Sequence, residues 1–209
     1  MKKTFLITTL AAAVAFGEPA YKAHPAGAAE IAGSLKGMLE TQGTRVVDGA
    51  GKLYAEVWLR GAQPAADASK SSEQNITLPE VPHGTLMGVI SFPVGASDRR
   101  GQAIKPGVYT MRYSQFPITG DHQGVAPQRD FLILSPLAED KDGEANLKFD
   151  ALMAMSRKGS GTSHPLILSL WKADQPQPGL TKEGEHDWVL QRQIGKLPLA
   201  IIVAGRAEG

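Results

Sequence analysis

Alternation of apolar and polar residues is the clearest pattern in the chain, and it begins near residue 44. Between residues 52 and 60, every second residue starting at Leu53 is aliphatic. A two-residue period puts alternate side chains on opposite faces of a β-strand. A shorter run at 45–47 precedes it, and the sequence Asp-Gly-Ala-Gly separates the two runs. Turn residues between two such runs are typical of a β-hairpin.

Further short apolar runs extend this pattern to the end of the chain. They predict strands at 85–92, 107–114, 130–134, 145–151, 166–171, 186–192 and 196–203. The 23 glycines and 14 prolines favour many turns and few long helices. About eight short strands between such turns predict a mainly β protein, in the form of a single β-sandwich or jelly-roll-like domain.

One segment has a helical period instead. Ile31, Leu35 and Leu39 recur at helical spacing within 28–41, which predicts a short N-terminal helix that packs on the sheet. We place the domain at 28–209, with a mobile, Ala/Ser/Asp-rich loop at about 62–78.

The first 17 residues have the pattern of a cleavable signal peptide. Lys2 and Lys3 are followed by an apolar run and then by small residues at cleavage spacing. The run is shorter than the ~20 residues that span a bilayer. The sequence therefore predicts export, to the periplasm or beyond the cell, with no membrane span after cleavage. Residues 18–27 would then be a flexible leader.

Charge and cysteine content limit the possible partners. The chain has 22 basic and 21 acidic residues, and loss of Lys2 and Lys3 would leave 20 basic against 21 acidic. A nearly neutral protein is not expected to bind nucleic acid. It has no cysteine, which excludes disulfides, thiolate metal sites and a thiol nucleophile. No motif in the sequence indicates a cofactor.

The segment 116–131 holds the densest group of candidate functional residues, because it is a long loop between two predicted strands. His122 could serve as a general base, Asp121 could orient a histidine from elsewhere, and Arg129 could bind a carboxylate or phosphate. The same residues also fit turn chemistry and a structural Arg129–Asp130 pair, and this alternative stays open.

Three tryptophans are weak candidates for ligand binding. Trp58, Trp171 and Trp188 each lie in a predicted strand. Two of them on one exposed face could stack against a sugar ring, although core packing is the more common role of a strand tryptophan.

Other segments resemble known sites only in part. The acidic turn 140–144 has its glycine at the wrong position for an EF-hand, and 158–164 lacks the final Gly-Lys-Ser/Thr of a phosphate loop. We interpret the second as a mobile glycine loop. His83, His164 and His186 have no metal-binding spacing, so the sequence predicts no metal site.

Several short runs resemble a group of exported bacterial β-rich proteins of unknown function. They are Pro-Gly-Val-Tyr at 106–109, Gly-Asp-His at 120–122, Ala-Pro at 126–127, Arg-Asp-Phe at 129–131 and the Glu-Val-Trp strand at 56–58. The resemblance implies an exported location and no particular activity.

Three hypotheses follow from the sequence. The first is a non-enzymatic exported protein that binds a ligand or an envelope protein. The second is a hydrolase or metal-dependent enzyme that uses the 116–131 loop and a further histidine. The third is a self-associating subunit of a surface assembly.

Overall fold

A computed structural model describes residues 20–66, 74–116 and 128–207, so the predicted signal peptide at 1–17 lies outside the described residues. Twelve strands are present in these ranges. They are β1 (Lys22–Pro25), β2 (Thr44–Val47), β3 (Leu53–Leu59), β4 (Leu86–Phe92), β5 (Ala96–Ser97), β6 (Ala103–Ile104), β7 (Gly107–Gln115), β8 (Asp130–Pro136), β9 (Leu166–Lys172), β10 (Gly179–Glu183), β11 (Asp187–Ile194) and β12 (Leu197–Ala204).

Ten of these strands form one antiparallel sheet that is nearly closed into a barrel. Its order is β1-β2-β3-β4-β7-β8-β9-β12-β11-β10, while β5 and β6 form a separate small hairpin. The mainly β class is confirmed. The two packed sheets of a sandwich or jelly roll are not confirmed, because the ten strands belong to one continuous sheet that curls on itself.

The main core lies inside this curled sheet. Apolar side chains from eight of its strands form one buried cluster, with Val57, Ile90, Met111, Leu132 and Leu168 among its members. Strands of a closed sheet point alternate residues inward. On β8, for example, Leu132 and Leu134 face this core, whereas Phe131 and Ile133 belong to a separate outer cluster.

The predicted helix at 28–41 is present as a 3-10 helix, Glu30–Met38. Gly33 lies inside it with φ 56° and ψ −124°, which interrupts the helical turn. Its buried residues Ala32 and Leu35 pack with Trp58 on the outer face of the sheet. Helical turns therefore pack on the sheet at the predicted place, but they are short 3-10 turns on either side of Gly33 and not one continuous helix.

The α-helix α1, Phe149–Ser160, was not predicted from the sequence. It overlaps the strand predicted at 145–151 and the glycine loop predicted at 158–164, so those two predictions are wrong over the helical residues. Leu152 and Met153 pack on the outer face of β8, and Gly161 ends the helix at φ 69°. Among the described residues, no helix is both long and apolar enough to cross a membrane.

Two segments expected to be flexible are in regular contact with the sheet. Lys22–Pro25, from the predicted leader, pairs with β2 as an edge strand. Near the end of the predicted mobile loop, Thr77 and Leu78 donate backbone hydrogen bonds to the buried Asp130 carboxylate, at 2.7 and 3.2 Å. Tyr113 donates to the same carboxylate from β7 at 2.7 Å. These donors let an isolated carboxylate remain in the interior.

A buried ion pair joins the sheet to the segment that precedes α1. Arg112 projects from the outer face of β7, and its side chain is 0% exposed, beside an Asp140 side chain that is 2% exposed. Nε and Nη2 of Arg112 donate to the two carboxylate oxygens of Asp140 at 2.6 and 2.8 Å. This bidentate geometry is the strongest form of the arginine–carboxylate pair.

The remaining guanidinium donors of Arg112 all reach backbone carbonyls. Nη1 donates to Gly84 at 2.7 Å and Ala145 at 3.3 Å, and Nη2 also donates to Asp142 at 2.6 Å. All five N–H groups of a guanidinium are then used. The acidic turn 140–144, which resembled a calcium loop, is thus the binding loop for this arginine.

Asp140→Ala should destabilise the protein by about 3–5 kcal/mol, because it leaves the Arg112 charge buried without its counter-ion. The free energy of unfolding can be measured by urea denaturation. The matched control is Arg45→Ala, which breaks an exposed pair with Glu56 and should cost less than about 1 kcal/mol. Equal losses in the two variants would contradict the assigned role of Asp140.

Candidate functional site

A cavity of about 800 Å³ lies at one mouth of the nearly closed sheet. Its lining residues come from the chain before β1, from β3, from the β5–β6 hairpin, and from β11 and the end of β12. They are Tyr21, Tyr54, Val94, Gly95, Ala96, Ser97, Ala103, Ile104, Lys105, Pro106, His186, Trp188, Ala204, Gly205 and Arg206. We call this the mouth cavity.

Aromatic rings form much of its wall. The Tyr21 ring lies 4.8 Å from the Tyr54 ring and 5.6 Å from the Trp188 ring, the second pair edge to face. Tyr54 in turn contacts Phe92 in the core at 5.9 Å. Burial raises the pKa of both Tyr21 and Tyr54, and the nearby Asp48 carboxylate also raises that of Tyr21. Both phenols therefore keep their protons at neutral pH and add no charge.

Two β-bulges shape this wall. Val46 pairs with Ala55 and Val47 pairs with Leu53, so Tyr54 is the extra residue of β3. Strict alternation would put Tyr54 on the same face as Glu56. The structure instead packs it against the inner core cluster. A bulge adds a residue to one strand and redirects its side chain, which is why the sequence pattern missed Tyr54.

The second bulge lies beside Trp188. Trp188 pairs with Ala204 and Val189 pairs with Ile202, which leaves Val203 as the extra residue of β12. Bulges are common at barrel rims and next to binding sites. Here the bulge brings the end of β12, with Ala204 and Gly205, into the cavity wall beside Trp188.

The β5–β6 hairpin forms a braced side of the mouth. Its connecting loop is held by Asp98, whose side chain is 0% exposed and accepts from the backbone N–H groups of Arg100 and Gln102, both at 3.0 Å. The Arg100 guanidinium donates to Asp98 and to the Pro165 carbonyl. This wall is therefore preformed, which lowers the entropic cost of binding a ligand.

The charged residues that line the mouth cavity are cationic, and the exposed Glu185 carboxylate lies nearby, 3.8 Å from His186 Nε2. Arg206 Nη2 lies 3.1 Å from His186 Nε2. In a hydrogen bond between these atoms the guanidinium donates and Nε2 accepts, because arginine has no acceptor. Lys105 also lines the cavity, and its ammonium nitrogen lies near Gly161 at the end of α1. Among the described lining residues there is no aspartate or glutamate.

Close packing holds the backbone on either side of Arg206, although Arg206 itself is exposed. A Cβ added to Gly205 would overlap Asp187 Oδ1, and Asp187 forms an ion pair with Arg99. Backbone N–H of Ala207 donates to the Arg99 carbonyl at 2.6 Å. The segment after β12 is therefore fixed on both sides of Arg206.

Gly205→Ala should destabilise the protein by about 1–3 kcal/mol, because the new methyl group has no space beside Asp187. Urea denaturation gives the free energy of unfolding. Gly27→Ala is the control, since a Cβ there would meet nothing within 4 Å. Equal stability of the Gly205→Ala and Gly27→Ala proteins would show that the segment is not held as tightly as the structure indicates.

The structure places the sequence-predicted loop residues only in part. Asp121 and His122 lie outside the described residues, within 117–127. Arg129 is described, and its Nε donates to the Phe116 carbonyl at 3.0 Å, with Nη2 donating to the same oxygen. Phe116 N–H donates to the Arg129 carbonyl at 2.9 Å. Arg129 thus joins the two ends of the predicted loop.

The three tryptophans do not share a surface. Trp58 is 3% exposed, and its Nε1 donates to the Gly27 carbonyl at 2.8 Å, so it is a core residue under the 3-10 helix. Trp188 lines the mouth cavity, whereas Trp171 lines a separate cavity on the outer face. No two of the three tryptophans therefore line the same cavity, so the condition for stacking a sugar ring between two of them is not met.

His83 lies at a smaller cavity of about 260 Å³ that Arg112 also lines. Its Nδ1 is 3.0 Å from Ser114 Oγ, and its ring lies 5.7 Å from the Phe149 ring. Burial lowers the pKa of the His83 imidazole. Ser114 is 0% exposed, so this serine–histidine contact is not open to a substrate.

The lowered pKa of His83 predicts a loss of stability in mild acid. Below about pH 6.5, His83 takes up a proton more readily in the unfolded chain than in the folded protein. The free energy of unfolding therefore falls as the pH drops. Urea denaturation at about pH 7.5 and about pH 5.5 should show a smaller decrease for His83→Gln than for the natural chain. The same decrease in both would rule out His83 as the source.

The described residues contain no group of three or more His, Cys, Asp or Glu side chains that could hold a metal ion. The chain matches no protein-family model, no curated protein and no solved structure.

Proposed function

We propose that this protein binds a small amphipathic anion in the mouth cavity, one with an apolar or aromatic body and a carboxylate, sulfonate or similar acidic group. The observation that carries the proposal is that aromatic rings and a positively charged arginine line the same cavity. Tyr21, Tyr54 and Trp188 offer apolar surface, and Arg206 supplies a positive charge at a cavity with no acidic lining residue among those described.

The size and composition of the cavity support a small-molecule ligand. A volume of about 800 Å³ lies within the usual ~300–1,000 Å³ of such sites. Sites of this kind are mostly apolar with a few placed polar groups, and the mouths of β-barrels are common locations. An anionic group would accept from Arg206, while an apolar body would displace water from the rings.

The lining chemistry favours binding over catalysis. The two tyrosines keep their protons, and the His186 nitrogen that faces Arg206 already accepts a hydrogen bond. The enzyme hypothesis rests on Asp121 and His122 and stays a prediction. Export likewise stays a prediction from the N-terminal sequence, as does self-association into a surface assembly.

Two fluorescent naphthalene compounds test the proposal, since they share an aromatic body and differ in charge. Anilinonaphthalene sulfonate is anionic, and N-phenylnaphthylamine is neutral. Arg206→Gln should weaken binding of the sulfonate about 10-fold and leave the neutral compound nearly unchanged, because one charge-assisted hydrogen bond is lost. Fluorescence titration measures both dissociation constants.

Trp188→Ala should weaken both compounds about 10-fold, because both use the aromatic wall. Lys196→Gln is the charge-matched control. Lys196 is exposed in the β11–β12 turn, at the far end of β11 from Trp188, and its loss should change neither constant. The proposal fails if Arg206→Gln weakens both compounds equally, or if the natural chain binds neither.

A further inference from the structure

His186 lines the mouth cavity beside Arg206, the residue that would hold the acidic group of a ligand. It lies in the turn between β10 and β11, and its side chain is 17% exposed. Its Nε2 is 3.1 Å from Nη2 of Arg206, so the guanidinium is the donor in a hydrogen bond between them. The arginine therefore has a histidine acceptor only while Nε2 carries no proton.

Protonation of His186 would change the charge of the mouth cavity. Histidine is the side chain that ordinarily titrates between about pH 5 and 8. A proton on Nε2 removes the acceptor for Arg206 and leaves two cations 3.1 Å apart. An acidic group bound at Arg206 would lie close to both cations. It would offset their repulsion and accept a hydrogen bond from each, so it favours the protonated histidine.

The charged groups around this pair do not reverse that preference. The Glu185 carboxylate, in the same turn, lies 3.8 Å from His186 Nε2, and its side chain is 81% exposed. It is present with and without a ligand, so it acts on the histidine in both states. Asp187 follows His186 in the chain, and its charge is balanced by the ion pair with Arg99.

The cavity wall adds a further cation and two phenols. Lys105 lines the cavity from the turn between β6 and β7. Burial raises the pKa of Tyr21 and of Tyr54, so neither phenol changes charge between about pH 5 and 8. Among the described lining residues, His186 is thus the one of a type that titrates in this range.

We infer that the mouth cavity takes up a proton at His186 when it binds its anion, so that the anion binds more tightly in mild acid. This inference rests on the function proposed above. A ligand that prefers the protonated site must bind better as the pH falls through the range in which the histidine titrates. One proton limits the gain to about 10-fold per pH unit. The protein would capture such an anion in an acidic medium and release it as the pH rises.

Fluorescence titration of anilinonaphthalene sulfonate at about pH 7.5 and about pH 5.5 tests the inference on the full chain. The sulfonate stays ionised at both values, so a change in affinity reports on the protein. The natural chain should bind it at least about 5-fold more tightly at the lower pH. Neutral N-phenylnaphthylamine should bind equally at both, which excludes apolar surface exposed by acid. An equal gain for both compounds, or no gain for the sulfonate, would overturn the inference.

His186→Gln tests whether His186 is the group that takes up the proton. Glutamine retains an acceptor for Arg206 but does not titrate, so the ratio of the two sulfonate dissociation constants should fall below about 2-fold. His164→Gln is the matched control, because His164 is exposed and does not line the cavity, and it should keep the full ratio. An unchanged ratio in His186→Gln would contradict the assignment.

Isothermal titration at about pH 6.5, in two buffers of different ionisation enthalpy, counts the protons directly. The natural chain should take up about 0.3–0.8 proton per sulfonate bound, and His186→Gln close to none. Binding that Arg206→Gln weakens but that takes up no proton would overturn this inference and leave the proposed function intact. Failure of the natural chain to bind the sulfonate at either pH would overturn both.

Discussion

The buried Arg112–Asp140 pair is the contact on which the arrangement outside the sheet depends. Arg112 lies on the outer face of β7 and is fully buried. A covered sheet face at such a position would ordinarily carry an apolar side chain. Its five donors reach the chain before β4 and the 140–145 loop, so one side chain fixes the path that leads to α1. The pair also explains why a charged residue tolerates full burial, since every donor has an acceptor.

Departures from regular strand pairing create the functional surface. The bulge at Tyr54 turns an aromatic ring inward, and the bulge at Val203 brings the end of β12 to Trp188. Regular pairing would leave Tyr54 on the outer face. β11 also serves two cavities, because Asp187 and Trp188 point to different sides of the sheet. The Asp187–Arg99 pair beside Gly205 therefore lies between the two cavities.

Much of the fold follows from alternation. The period of two located β2, β3, β4, β7, β8, β9, β11 and β12 to within a few residues. It failed at α1, where Ser156, Gly159 and Ser160 are buried small residues that weaken the helical apolar stripe. The recurrence of Leu152, Met153 and Ser156 at helical spacing was the available signal. Strand β1 was missed because its four residues, which end in Pro25, are too few to show an alternating pattern.

The sequence alone determined the β class, the near-neutral charge and the absence of thiol chemistry, because composition and periodicity are local properties. Only the tertiary structure decided that the strands form one curled sheet, that Trp58 is a core residue and that Tyr21 and Arg206 meet at one mouth. Those outcomes depend on register, bulges and closure between strands far apart in the chain. A single strand's pattern contains no information about its partner's register.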